Sequence, residues 1–254
     1  GVIAYVFMGW SLAAAFGLPL VTFIASRYGW RVAYDGIGTL AVLSCLLLVW
    51  RLPRGLFGVP VDLKTWTDLA GNRLIIMLLL ITTLQMGGQF VVFTFMAPLL
   101  KQLTGAGSDT AGLVFAAYGV FGIVGLLIAS RIVDSWGGYK TSLLFTGFLL
   151  AGTGIWAFGA GSLITMVIGV VVWGVGFSST NSMQQVRLVV AAPALATASI
   201  ALNTSVLYIG QALGSAIGGM LYARDLPYGP GYASVSFVAL AIIAVIATRR
   251  MSSS

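Results

Sequence analysis

Four amide side chains and one aromatic ring stand out within the long apolar stretches of this sequence. Gln85 and Gln89 are four residues apart, so a helix would place them on one face, and Phe93 continues that face. Asn181 and Asn203 lie in two later apolar stretches. An amide both donates and accepts hydrogen bonds, so it can hold a polar solute without fixing a charge. These five residues are predicted to line a cavity, with hydrogen bonding between helices as the alternative role of the amides.

Several kinds of chemistry are excluded by residues that this sequence lacks. It contains no His and one Cys, and all six of its acidic residues are Asp. A His-based catalytic triad, a His metal site and a Cys₄ cluster are therefore excluded within it. The thiol of Cys45 lies in an apolar run, where a thiol is usually inert packing. No cofactor and no metal are expected, and an enzyme is disfavoured because no nucleophile–base pair occurs at membrane depth.

The composition of the chain indicates which solvent surrounds it. Hydrophobic residues make up 59% of the 254 residues and charged residues 7%, against roughly 25% charged in ordinary globular domains. This small number of charged residues cannot cover the surface of a water-soluble domain of this size. Lipid is therefore predicted to be the solvent. The net charge of +7 comes from Lys and Arg scattered singly, without the basic stripe that a nucleic-acid partner would require.

Windows of about 20 mainly apolar residues define the predicted membrane spans. The windows are continuously apolar, whereas the strands of a membrane barrel alternate between apolar and polar residues. The sequence therefore predicts an all-α membrane protein with about eight transmembrane helices. A break in the long final window is expected at Pro193, because proline cannot continue a helix interior. The predicted spans are residues 1–26, 34–50, 74–100, 111–130, 141–160, 163–183, 194–222 and 231–248.

The positions of Lys and Arg predict the orientation of the spans. With eight helices, nine basic residues fall on the side that holds both termini and four on the other side. Because basic loops stay on the cytoplasmic side, both termini are expected in the cytoplasm. Gly1 is not a start methionine and already lies in an apolar run, so the chain is interpreted as a fragment whose upstream helices are missing.

The connection between the fourth and fifth spans carries a recognisable pattern of charge and glycine. It contains Arg131, Asp134, Gly137 and Lys140. A tight turn between helices needs glycine, and an Asp beside basic residues can latch helix ends through charge-assisted bonds. The segment resembles the cytoplasmic signature of the major facilitator superfamily, and the resemblance implies a cytoplasmic gate at these four residues. A plain positively charged loop is the alternative.

Further stretches are similar to helices of the twelve-span drug:H⁺ antiporter family, in the branch called arabinose-efflux-permease-like. They match its helices five, seven and eleven and the segments next to them, and they follow one another in order. The similar stretches are residues 9–19, 29–31, 88–100, 184–193 and 201–219.

With the similar stretches aligned in this order, the chain resembles helices five to twelve of a twelve-helix protein, and the first four helices are absent. The resemblance implies that residues 1–51 are the last two helices of the amino-terminal six-helix bundle. Residues 52–73 become the central cytoplasmic loop, and residues 74–254 become the complete carboxy-terminal bundle. Within the loop, the amphipathic stretch 62–69 is interpreted either as an interfacial segment or as a linker.

Two other features concern packing and coupling. Gly210, Gly214 and Gly218 repeat every four residues, which favours close approach of another helix. Asp35 is the acidic residue inside a predicted span and is a weak candidate for carrying a proton. An ion pair between Asp35 and Arg31, four residues before it, is the favoured interpretation.

The resemblance implies a secondary active transporter of the bacterial inner membrane. Its expected activity is proton-coupled efflux of a small organic solute (a drug, sugar or nucleoside) by alternating access of two bundles. The expected partners are that solute, protons, the lipid bilayer and the missing amino-terminal helices. Two alternatives stay open: a proton-coupled uptake carrier, and a non-transporting membrane sensor or assembly protein built on the same bundle.

Overall fold

The computed structural model describes residue 9, residues 11–52 and residues 62–251. Every regular element within these residues is a helix, which confirms the all-α prediction. The first helix begins with a π-helical turn, Ala13–Gly17, and a 3₁₀ turn, Pro193–Leu195, precedes the ninth. Ser108–Phe158 is divided at Gly137 into two arms, residues 108–136 and 138–158, which are numbered separately. The helices are α1 (Ala13–Tyr28), α2 (Trp30–Arg51), α3 (Leu63–Gly71), α4 (Arg73–Phe93), α5 (Met96–Thr104), α6 (108–136), α7 (138–158), α8 (Leu163–Ala191), α9 (Ala196–Ala223) and α10 (Gly229–Met251).

The helices account for the eight predicted spans. Six of the described helices are long and apolar enough to cross a membrane, and the longest of them contains both α6 and α7. The shorter apolar helix α1 corresponds to the first predicted span. Residues 1–8 of that span lie outside the described residues, as do residue 10, residues 53–61 of the predicted central loop and the tail from residue 252.

The two largest differences from the sequence-based prediction concern the third span and the end of α8. The predicted third span is split into α4 and α5 by a turn at Thr94 and Phe95. Pro98 explains the split, since its ring lacks an N–H for the carbonyl four residues earlier. Helix α8 continues to Ala191, well beyond the predicted end at Met183, and then stops just before Pro193 as expected.

Helices α4 and α6 to α10 pack into one bundle. The most extensive contacts join α8 to α6 and α7, and α4 to α9 and α10. Large side chains such as Tyr118, Trp156 and Trp173 are fully buried in its largest apolar cluster. Helix α1 packs against α6, whereas Ala33 is the one buried residue among the 22 residues of α2. The predicted division at residues 52–73 stays a prediction.

Helix α3 lies between α2 and α4 in the chain and leads into the bundle. Asp62 precedes it, and one carboxylate oxygen of Asp62 accepts hydrogen bonds from the Thr65 backbone N–H at 2.8 Å and from the Thr65 hydroxyl at 2.6 Å. This arrangement is an N-cap, which satisfies donors that the first helical turn leaves free. Leu69 is buried against Ile75 and Leu78 of α4, so α3 is anchored to the bundle on its apolar side.

The repeated glycines of α9 lie directly against α4. A Cβ atom on Gly210 would approach the Thr83 carbonyl oxygen to 2.6 Å. On Gly214 and Gly218 it would overlap the carbonyl oxygens of Gly87 and Val91. Because no side chain separates them, the two backbones approach as closely as helices can.

Candidate functional site

A cavity of about 370 Å³ lies between α1 and α2 on one side and α4 and α8 on the other. This volume is within the range typical of small-molecule sites. Every side chain that lines the cavity is apolar, and three are phenyl rings. The lining residues are Ala13, Ala14, Gly17, Leu18, Val21, Ile37, Phe90, Phe93 and Phe177.

The phenyl rings belong to a larger aromatic cluster inside the bundle. The ring of Phe93 lies 5.0 Å from that of Tyr118 and 5.5 Å from that of Phe115, measured between centroids. The Tyr118 ring in turn lies 4.7 Å from Phe177 and 5.1 Å from Trp173. Offset and edge-to-face pairs at these separations are favourable beyond the burial of their area. The cavity therefore has a continuous, well-supported aromatic wall on its bundle side.

Gln89 is buried behind this wall and fixes two of its rings. The Gln89 Oε1 atom accepts hydrogen bonds from the Trp173 Nε1–H at 3.1 Å and the Tyr118 hydroxyl at 3.3 Å. Its Nε2 group donates to the backbone carbonyl of Gln85 at 3.1 Å. Buried Tyr and Trp need partners for their polar atoms, and one amide supplies both here.

Thr82, Gln85 and Gln89 form a polar ladder along α4. The Thr82 hydroxyl donates to Asn203 Oδ1 on α9 at 2.7 Å, and Gln85 Nε2 donates to the Thr146 hydroxyl on α7 at 2.8 Å. Together with the bonds of Gln89 to α6 and α8, the ladder ties α4 to four other helices. Each such bond between membrane helices contributes about 0.6 kcal/mol.

Three predicted site residues retain buried polar atoms without a hydrogen-bond partner among the described residues. These atoms are Gln85 Oε1, Asn181 Oδ1 and Asn203 Nδ2. The side chains of Gln85 and Asn203 are fully buried, and that of Asn181 is nearly so. Leaving such a group unpaired costs about 1–3 kcal/mol, so each of them has unused capacity for a polar contact.

The five predicted cavity residues fall into two groups. Phe93 lines the cavity directly. Gln85 and Gln89 lie together on the ladder with Asn203 opposite them, one layer of side chains behind the wall. Asn181 is one helical turn beyond Phe177 on α8 and is buried. The prediction that all five line one cavity stays a prediction.

Sequence reasoning missed Tyr118, Trp173 and Phe177, although one signal was available. Trp173 and Phe177 are four residues apart in an apolar span, which places them on one helical face. A tyrosine or tryptophan in the middle of a span also requires a polar partner, and the nearby amides are the available partners.

The four residues of the predicted gate lie at the junction of α6 and α7. Gly137 alone connects the two helices, with φ 76° and ψ 160°, a backbone conformation that is almost restricted to glycine. The side chains of Arg131, Asp134 and Lys140 are exposed. No ion pair joins Asp134 to either basic residue in the described part of the chain.

The expected ion pair between Arg31 and Asp35 does not form. The Arg31 guanidinium carbon instead lies 4.5 Å from the centroid of the Trp30 ring, a cation–π contact. Asp35 is exposed on α2.

Comparison with known proteins connects this geometry to a family. The model of the Major Facilitator Superfamily matches residues 1–215 and residues 78–251, which together cover nearly the whole chain.

Curated relatives of the chain carry names of membrane transporters. The chain is 27% identical over 224 residues to the uncharacterised MFS-type transporter YbcL of Bacillus subtilis (strain 168), covering 86% of this chain and 56% of the relative. It is 27% identical over 229 residues to the inner membrane transport protein YdhP of Escherichia coli (strain K12), covering 89% and 58%. It is 26% identical over 243 residues to a probable sugar efflux transporter of Mannheimia succiniciproducens, covering 94% and 58%. The chain thus spans rather more than half the length of these relatives.

A solved structure shares the fold. It is the crystal structure of a bacterial homologue of the iron transporter ferroportin in an outward-facing state. The TM-score is 0.64 at 17% identity, and the match covers 93% of this chain and 59% of the other. At this identity the likeness establishes the fold alone.

Proposed function

The chain belongs to the major facilitator superfamily, and on that premise we propose that it is part of a secondary transporter for a small organic solute. The observation that carries the proposal is the aromatic-walled cavity between α1–α2 and α4–α8. The cavity lies between two groups of helices, which is where a carrier that rocks two bundles holds its substrate.

The proposed site combines an apolar surface with polar groups held behind it. The cavity wall offers flat contact to an apolar or aromatic part of the solute. Gln85, Asn181 and Asn203 have the unpaired polar atoms that would meet a polar part of the solute when the helices move apart. Most small-molecule sites share this pattern of apolar lining with a few convergent polar groups.

We further propose efflux in exchange for protons across a bacterial inner membrane, with both ends of the described segment in the cytoplasm. The names of relatives such as the probable sugar efflux transporter support export. Asp35, near the start of α2, is the candidate proton carrier, because it is the acidic residue inside a predicted span. The exposed charges Arg131, Asp134 and Lys140 beside the turn at Gly137 are proposed to form the cytoplasmic gate.

The test blocks the cavity without touching the amides. The full-length protein is reconstituted in vesicles with an imposed pH gradient, and flux is measured for a panel of sugars, nucleosides and drugs. Val21→Trp fills the cavity, whereas Ile243→Trp places the same ring on the exposed side of α10. Val21→Trp should lower flux at least about tenfold, because the indole ring would occupy the space that the solute needs.

Ile243→Trp should transport like the wild type, and both variants should give the same yield of folded protein. Unchanged flux in Val21→Trp would remove the cavity from the transport path. Movement of the solute in the same direction as the protons would indicate uptake instead of efflux.

A further inference from the structure

A second cavity lies at one end of the bundle, apart from the aromatic-walled one. Its volume is about 380 Å³, and it opens where the beginnings of α4 and α7 meet the ends of α8 and α10. One basic side chain, one hydroxyl and one phenol face it, and the other lining residues are apolar or glycine. The lining residues are Leu74, Leu78, Gly138, Tyr139, Val186, Arg187, Val190, Ala191 and Thr248.

Arg187 is the charged residue of this cavity, and its contacts are all to neutral groups. Its guanidinium donates to Gln184 Oε1 at 3.2 Å, to the Ser142 hydroxyl at 3.4 Å and to the Thr248 hydroxyl. Its central carbon lies 5.7 Å from the centroid of the Tyr139 ring. Nowhere in the described part of the chain does a carboxylate pair with it.

An arginine in this position holds an uncompensated positive charge. Its side chain is half-buried among α7, α8 and α10, where a charge without a counter-ion is unfavourable. The guanidinium also has five N–H donors, and the three neutral acceptors leave some of them free. Its planar fork matches the oxygens of a phosphate group.

The apolar residues of the cavity suit the hydrocarbon part of an amphipathic ligand. Leu74, Val186 and Val190 present hydrocarbon next to the guanidinium, and the Val190 side chain is 73% exposed on the outside of the bundle. The cavity is therefore continuous with the surface that acyl chains cover. Arg187 also lies on the side of the membrane where most of the basic residues are predicted, which is the leaflet face rich in anionic lipid.

We propose that the Arg187 cavity binds the phosphate group of an anionic phospholipid. The guanidinium holds the phosphate, and Leu74, Val186 and Val190 contact the glycerol and the first carbons of the acyl chains. The lipid supplies the negative charge that the protein does not, and it joins the ends of α7, α8 and α10. The proposal does not depend on which solute is carried.

The test compares lipid retention by native mass spectrometry. The full-length protein is taken from membranes into detergent with equal amounts of phosphatidylglycerol and phosphatidylcholine. The wild type should retain phosphatidylglycerol about fivefold over phosphatidylcholine. Arg187→Gln should lose this preference. The matched control is Arg51→Gln, the same change on the same predicted side, where the arginine lies over Trp50 rather than in the cavity.

A second variant keeps the test decisive if Arg187→Gln does not fold. Val190→Trp blocks the entrance while leaving Arg187 and its hydrogen bonds intact, so it too should lose the preference. Phosphatidylglycerol preference that survives in Val190→Trp, or in a folded Arg187→Gln, would overturn the proposal. A separate arm adds inorganic phosphate or glycerol phosphate. Displacement of the lipid by either compound would identify a soluble phosphate as the ligand and overturn the lipid assignment.

Discussion

The interfaces within the bundle differ from the interface between the bundle and α1. Within the bundle, backbones meet at glycines such as Gly152 against Trp173, and the polar ladder of α4 adds hydrogen bonds to four helices. Across the other interface, Gly119 also meets the backbone of Ala15 closely, but among the described residues the side-chain hydrogen bond is one hydroxyl pair, Ser11 with Ser178. The same close approach is thus used twice, and in the described part of the chain the first case is reinforced by more hydrogen bonds than the second. Reinforced contacts suit a unit that stays together, and smooth unreinforced ones suit a surface that slides.

The largest expected effect comes from breaking a contact within the bundle. Gly152→Ala would place a Cβ atom into the backbone of Trp173, so we expect it to destabilise the protein by about 1–3 kcal/mol. Gly154→Ala on the same helix meets nothing within 4 Å and should be neutral or slightly stabilising. Thermal unfolding in detergent measures both, and equal melting temperatures would contradict the close packing of α7 on α8.

The next effect should be on transport rather than on stability. Gly119→Ala would push α1 away from α6, so we expect flux to fall about tenfold while the bundle keeps its melting temperature. Gly112→Ala is the control, since its Cβ would lie 3.8 Å from Pro19, at ordinary contact distance on the same interface. A large loss of stability without a specific loss of flux would show that this interface is as rigid as the others.

A smaller effect measures the ladder directly. A double-mutant cycle of Thr82→Val and Asn203→Ala should give a coupling free energy of about 0.6 kcal/mol, because the two side chains share a buried hydrogen bond. The corresponding cycle for Ser11→Ala and Ser178→Ala, read by the same unfolding assay, should give a smaller value. Equal couplings would remove the difference in reinforcement between the two interfaces.

The smallest effect concerns α3, which leads into the bundle. The hydrogen bonds from Thr65 hold the pKa of Asp62 below its ordinary value. A lowered carboxylate pKa means that the cap contributes above the unfolded pKa and is lost as pH falls through the folded one. The hydrogen-exchange protection factors of the first turn of α3, which correct for the intrinsic effect of pH on exchange, should therefore fall at acidic pH in the wild type. In Asp62→Ala the protection factors of that turn should be low at every pH, and an equal pH response in the variant would exclude Asp62 as the cause.

Most of the fold could be predicted because lipid imposes a simple rule on the sequence. Every span is an apolar run of sufficient length, and Pro193 marks a helix end where proline must. The end of α8 was misplaced because polar residues such as Gln184 and Arg187 looked like the start of a loop. They stay helical because they find partners, for instance the Leu78 carbonyl for Gln184 at 3.2 Å.

The candidate site could be predicted only in part. The amides of α4 were visible because polar residues in apolar runs are conspicuous. Their partners were not, since which hydroxyl meets Gln85 depends on how the helices rotate against each other, and local spacing does not encode that. The aromatic wall could not be predicted for the same reason, because Phe93 and Tyr118 come together from two different helices.

The single-residue joint at Gly137 has a mechanical consequence. A longer loop would absorb relative movement of the helices it connects, but one residue leaves almost no slack. A tilt of the carboxy-terminal end of α6 is therefore expected to move the amino-terminal end of α7 with it. The backbone itself couples the two helices, so no side-chain contact is needed for this coupling.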